Sequence, residues 1–267
     1  MEYWREIVIF FAGLWAGTIN TIVGSGTLVT FPVLVALGFP PVNAVVSNAM
    51  GLVAGGFSGA WGYRREAASV GSTLLKLMPV SLAGGLVGAY LLLHLPEAVF
   101  SYVAPVLIVV ALLLVIFQPR LSAWAKKRQA VSVGVDPDEA NRATVSPLLY
   151  VLVFLIGIYG GYFTAAQGIL LMAVFGVFLH ASLQQSNAIK VVLTLVVNLV
   201  AAASYLIFAP ERISWPVVIL IAAGSLIGGF IGARVGRRLS PGWLRAVIVI
   251  LGLVALATMV AKLFSGA

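Results

Sequence analysis

The sequence predicts an all-α polytopic membrane protein made of two inverted repeats, each a broken-helix hairpin followed by three transmembrane helices. Three observations carry this. Hydrophobic residues make up 61% of the chain and charged residues 9%, with a mean hydropathy of +1.10, whereas a soluble domain carries about 25% charged residues. Two apolar runs are too long for one straight crossing, and each is interrupted. Finally, one glycine pattern occurs twice, at a constant offset of 144 residues.

The first run, Ile7 to Leu37, holds 31 residues; a straight helix of that length would reach roughly 46 Å, against a bilayer core of about 30 Å. Gly24-Ser25-Gly26 divides it into two short legs folded back as a hairpin. Pro40-Pro41 then open a helix running to about Tyr63 and ending at Arg64-Arg65-Glu66, since proline suits a first helical turn. Apolar blocks follow at Leu74 to Leu93 and Ala98 to Phe117, joined by the turn His94-Leu95-Pro96-Glu97. The pattern then restarts. A second hairpin spans Val151 to His180 with its break at Gln167-Gly168. After it come a helix from Ser182 to Phe208, a turn at Pro210-Glu211-Arg212, a block from Trp215 to Ala233, a basic turn from Arg234 to Arg245 and a last helix reaching Val260. This gives a first membrane repeat over 1–118, a polar linker over 119–146 and a second membrane repeat over 147–267.

The repeat is visible residue by residue. Gly13, Gly17 and Gly24 fall on Gly157, Gly161 and Gly168, and Ser81 to Ala89 falls on Ser225 to Ala233, all at the offset of 144. Ser47-Asn48-Ala49 matches Ser186-Asn187-Ala188 after a five-residue deletion. Gly84, Gly88, Gly228 and Gly232 stand at small-xxx-small spacing, which suits close helix packing. Returning hairpins put Arg64, Arg65, the linker and the Arg234–Arg245 turn on one side, with eleven of the sixteen basic residues; by the positive-inside rule that side is the cytoplasm. Single-crossing hairpins would scatter those charges over both sides. The expected location is therefore the cell inner membrane, multi-pass, with the N-terminal apolar run retained as part of the fold.

Composition also narrows function. The eight acidic residues all lie in or beside predicted loops, and a cation carrier or proton pump usually keeps a carboxylate in the membrane. This favours an anionic or neutral substrate and leaves no intramembrane acid–base pair for an enzyme. There are no cysteines, and His94 and His180 make no metal constellation, so no cofactor or metal is expected. The net charge of +8 sits mostly in short loops, as orientation residues do, and does not imply nucleic-acid binding.

The candidate substrate residues gather at the breaks and on the helices after them. Ser25 is expected to cap the returning leg, leaving the N–H groups of Gly26, Thr27 and Leu28 for an anion, because a helix N-terminus carries about half a positive charge. Gly24 and Gly26 let a ligand approach the backbone, and Gln167 beside Gly168 offers an amide donor. Lys190 stands inside an apolar block, about two turns into the helix after the second hairpin, at a cost of roughly 2.5–3.5 kcal/mol on insertion scales. Either it snorkels to the interface or bonds to hairpin carbonyls, or it lines an anion pathway, with Asn198 two turns further on. Ser47, Asn48, Ser186 and Asn187 are read either as helix caps or as cavity lining.

These residues together resemble the TauE/SafE-type sulfite exporters. The resemblance rests on Gly13-x-x-x-Gly17, Gly24-Ser25-Gly26, the stretch Gly38-Phe39-Pro40-Pro41-Val42-Asn43-Ala44, the helix ending Tyr63-Arg64-Arg65, and Lys190-Val191 with Asn198, over about residues 7–262. It implies export of a small sulfur oxyanion or organosulfonate. At the second break family members often carry several glycines where this chain reads Phe163-Thr164-Ala165-Ala166-Gln167-Gly168, so the second half-site is expected to be built differently. The expectation is thus a secondary transporter of sulfite or a sulfonate, with a passive anion channel or a membrane scaffold as alternatives. Its partners would be that small anion, the lipid bilayer and, as an option, a second copy in a homodimer.

Overall fold

Apolar blocks capped by glycine and proline give helices, and among the described residues the computed structural model contains no strand. It describes residues 3–131, 146–179, 181–235 and 241–265. In order, the helices are α1 (Tyr3–Ile22), α2 (Thr27–Ala36), α3 (Pro41–Gly62), α4 (Arg64–Ser69), α5 (Gly71–His94), α6 (Glu97–Val131), α7 (Pro147–Tyr162), α8 (Gln167–Phe178), α9 (Leu183–Phe208), α10 (Trp215–Val235) and α11 (Pro241–Ser265), with a 3₁₀ turn at Pro210–Arg212. Four stretches, Gly71–His94, Glu97–Arg120, Leu183–Phe208 and Trp215–Arg234, are long and apolar enough to cross a membrane. The legs α2, α7 and α8 are short, at 10, 16 and 12 residues, but α1 at 20 residues is as long as a full crossing, so the first run is not split into two short legs as expected.

Four boundaries differ from expectation, the first being that the last helix opens at Pro241, inside the expected Arg234–Arg245 turn. Arg64 to Ser69 form the separate helix α4 rather than a bare turn. Helix α6 runs on through Pro119 to Val131, into the polar stretch. The second break lies at Phe163–Ala166, one turn before its expected place, so Gln167 and Gly168 open the first turn of α8. The rest of the predicted linker, 132–145, the centre of the basic turn, 236–240, and His180 lie outside the described residues.

Glycine ridges decide which helices touch. A side chain on Gly13 or Gly17 of α1 would strike the backbone of Ile221 or Ser225 of α10, and residue numbers rise together along this pair. Likewise Gly84 of α5 faces Gly157 of α7, and Gly88 faces Gly161, again in parallel. Each half therefore lends its first leg to the third long helix of the other half, with Ser81–Ala89 and Ser225–Ala233 as the shared packing motif. By contrast α3 and α9, which occupy the same place in the two halves, run antiparallel: Gly56 meets Leu195 and Gly59 meets Val191. Small residues let backbones approach where apolar burial alone drives no association.

The charged ends sort accordingly. Gly62, just before Arg64, meets Ala233, just before Arg234, so these arginines share one end of the bundle. Ser69 accepts a hydrogen bond from Gln185 Nε2 at 3.1 Å at that same end. At the opposite end Arg212 pairs with Glu97 at 3.6 Å.

Candidate functional site

The two hairpins meet where Gly24 and Gly168 touch. A Cβ built on Gly24 would lie 2.5 Å from Gly168 Cα, and the reverse holds as well. Gly24 has φ +86°, a left-handed conformation that suits a residue without a side chain. The Gly168 N–H donates to Gly24 O at 3.0 Å, so one amide at the N-terminus of α8 is bound to the tip of the first hairpin. Gly24 and Gly168 stand at matching positions of the sequence repeat, 144 residues apart.

Lys190 of α9 lies against this contact, its Cδ 3.2 Å from the Cβ position of Gly24 and 3.0 Å from that of Gly168. It is fully buried. Its Nζ donates to Thr21 O at 3.0 Å and to Asn20 O at 3.4 Å, the last carbonyls of α1. Of the two readings of Lys190, the bonds to hairpin carbonyls are therefore present. Hydrogen bonds to a charged group contribute about 1.5–3 kcal/mol each, so two are enough to offset a membrane insertion cost of roughly 2.5–3.5 kcal/mol. A cation at the C-terminus of α1 also sits at the negative end of its dipole. Asn187, one turn earlier, donates through Nδ2 to Thr21 O at 3.3 Å. Asn20 and Thr21 were not legible as partners, because they contribute carbonyls, which every residue has.

The remaining candidates divide into satisfied and unsatisfied groups. Asn48 donates to Thr27 Oγ1 at 3.0 Å and accepts from Thr30 Oγ1, a closed cluster pinning α3 to α2. Ser47 accepts from the Ser214 N–H at 2.9 Å and holds the chain before α10. Ser25 does not cap the returning leg: Gly26 occupies the N-cap in helical conformation, no side chain caps it, and the Leu28 N–H is taken by Ser25 O. Because the leg begins with residues already helical, the Ser25 hydroxyl points elsewhere. Its Oγ is buried with no hydrogen-bond partner, as are Ser186 Oγ, both polar atoms of Gln167, both of Asn198, and Thr194 Oγ1. Thr194 was missed by the sequence reading, although it stands four residues from both Lys190 and Asn198. At the second break two non-glycine residues, Thr164 (φ 66°) and Ala166 (φ 59°), adopt left-handed conformations, whereas the first break turns at Gly24 (φ 86°).

Nothing among the described residues gathers three metal-ligating side chains. A family model described as "Sulfite exporter TauE/SafE" matches residues 9–259, nearly the whole chain. The chain belongs to the TauE/SafE family. It is similar to a "Probable membrane transporter protein" of Haemophilus influenzae, 27% identical over 256 residues, covering 95% of this chain and 93% of the relative. The "Probable membrane transporter protein YfcA" of Escherichia coli K12 is 27% identical over 261 residues, covering 96% and 88%. "Probable membrane transporter protein ORF9" of a Sinorhizobium species is 25% identical over 245 residues, covering 92% and 88%. No solved structure matches. With its apolar helices, this TauE/SafE chain is a multi-pass membrane transporter.

Proposed function

We propose that this transporter is a secondary carrier that exports a small oxyanion, sulfite or an organosulfonate, from the cytoplasm by alternating access between the two hairpins. The observation that carries the reading is a buried lysine at the contact of two broken hairpins, with polar groups nearby that have no partner. An unpaired buried polar group costs about 1–3 kcal/mol, so keeping several together favours a polar cargo or water at that place. The antiparallel run of α3 and α9, and the arginines gathered at one end, support inverted repeats with Arg64, Arg65 and Arg234 on the cytoplasmic side. The family's name supports sulfite, and Lys190 supports an anion in general. The direct Gly24–Gly168 contact favours a carrier over a passive channel of the same architecture, because it closes the line between the hairpins.

Flux of labelled sulfite in proteoliposomes tests this. Lys190→Ala and Ser25→Ala are expected to lower the rate by about ten-fold or more, as loss of one charge-assisted hydrogen bond would. Wild-type rates in both variants would sink the site assignment. Flux that saturates with sulfite supports a carrier; flux that stays linear supports the channel.

A further inference from the structure

Asn187, Lys190, Thr194 and Asn198 fall on one face of α9, since steps of three or four residues return a helix to the same side. The positions that match them in α3, at an offset of 139 after the five-residue deletion, are Asn48, Gly51, Gly55 and Gly59. The first half fills this face with packing, Ile221 on Gly51 and Ser225 on Gly55. The second half keeps polar side chains there. Thr194 is 4% exposed and Asn198 1%, and neither side chain has a hydrogen-bond partner.

Neighbours fix where this face looks. Lys190 lies against Gly168 at one end, and Tyr205 at the other donates to Gly161 O at 3.0 Å. Thr194 and Asn198 stand between those two points. Gln167, next to Gly168, has its amide packed against Gly160, next to Gly161. Gln167 thus packs on α7 beside the point where Tyr205 of α9 meets it, and Thr194 and Asn198 lie on α9 between the Lys190 and Tyr205 contacts.

We propose that Gln167, Thr194 and Asn198 form a neutral hydrogen-bonding station for a partly hydrated oxyanion, present in the second half alone. The two amides offer two donors each and the hydroxyl one. Lys190 is one turn from Thr194, about 6 Å along the helix, so it attracts an anion held there and repels a cation. Water kept by the anion reaches the amide oxygens, which would otherwise stay unpaired. The path of the anion therefore follows α9 and has no mirror along α3.

The inference rests on the oxyanion-transport reading, and the experiment separates the two. Labelled sulfite uptake is measured in proteoliposomes with the full chain as wild type, Thr194→Val, Thr194→Ser and Asn198→Leu, and melting is followed for each. Thr194→Val keeps the shape and removes the hydroxyl. It is expected to raise KM about ten-fold, the worth of a hydrogen bond to a charged partner, with Thr194→Ser restoring it. Its melting temperature should hold or rise, because an unpartnered buried hydroxyl has gone. A wild-type KM in both Thr194→Val and Asn198→Leu, with normal wild-type uptake, overturns the station alone and assigns its groups to structural water. A lower melting temperature with unchanged KM also overturns it. If the wild type moves no oxyanion, the transport reading itself falls and takes the station with it.

Discussion

Two glycines with the same backbone conformation separate the cost of a turn from the cost of a contact. Gly24 and Gly38 have φ +86° and +90°; a side chain on Gly24 would strike Gly168, whereas one on Gly38 would meet nothing within 4 Å. Gly38→Ala should cost about 1–2 kcal/mol, the price of a left-handed alanine. Gly24→Ala should cost at least about 1 kcal/mol more, since backbone must move to make room. Thermal or denaturant unfolding in detergent measures both, and equal losses would show that the hairpin contact contributes nothing. Lys190 shows the limit of reading residues singly. Its presence in an apolar block was legible, but its partners were not, because Asn20 and Thr21 act through backbone oxygens that no sequence pattern marks.

Among the elements, α3 and α10 are joined by one hydroxyl. Ser225 Oγ donates to Gly51 O at 2.9 Å and accepts from the Gly55 N–H at 3.1 Å. Its repeat mate Ser81 is equally buried but has no side-chain partner. Ser225→Ala should therefore destabilise the protein by about 1 kcal/mol or more, and Ser81→Ala should be neutral or stabilising. The comparison is again an unfolding measurement, and equal effects would deny the bridge. Helix order and most boundaries were legible, since proline, glycine and charge stand at the junctions, but the short helix α4 was not. The second break was not legible in place, because the glycine at 168 lies inside the first turn of α8 while the residues that leave the helix are Thr164 and Ala166. Neither is a usual left-handed residue, and tertiary packing overrides their preference. The extension of α6 past Phe117 was hidden by Pro119, which ends many helices but is carried inside this one.

For the molecule as a whole, the charge pattern predicts a sidedness that can be measured cleanly because the chain has no cysteine of its own. Single replacements Arg64→Cys and Arg234→Cys should react with a membrane-impermeant thiol reagent only from the cytoplasmic face, and Glu97→Cys and Arg212→Cys only from the opposite face. Labelling of all four from one side would break the inverted arrangement. The offset between the two breaks has a separate consequence. If transport works by each hairpin taking up the other's conformation, a chain with identical halves would rest equally in its two end states. Here one half folds back at glycines, the other at two strained non-glycine residues one turn earlier in the repeat, and only the second carries the lysine. Exchange cannot then return an isoenergetic state, and even about 1.4 kcal/mol of difference gives a ten-to-one resting ratio. Under that exchange the unliganded chain would rest toward one face before any gradient acts on it.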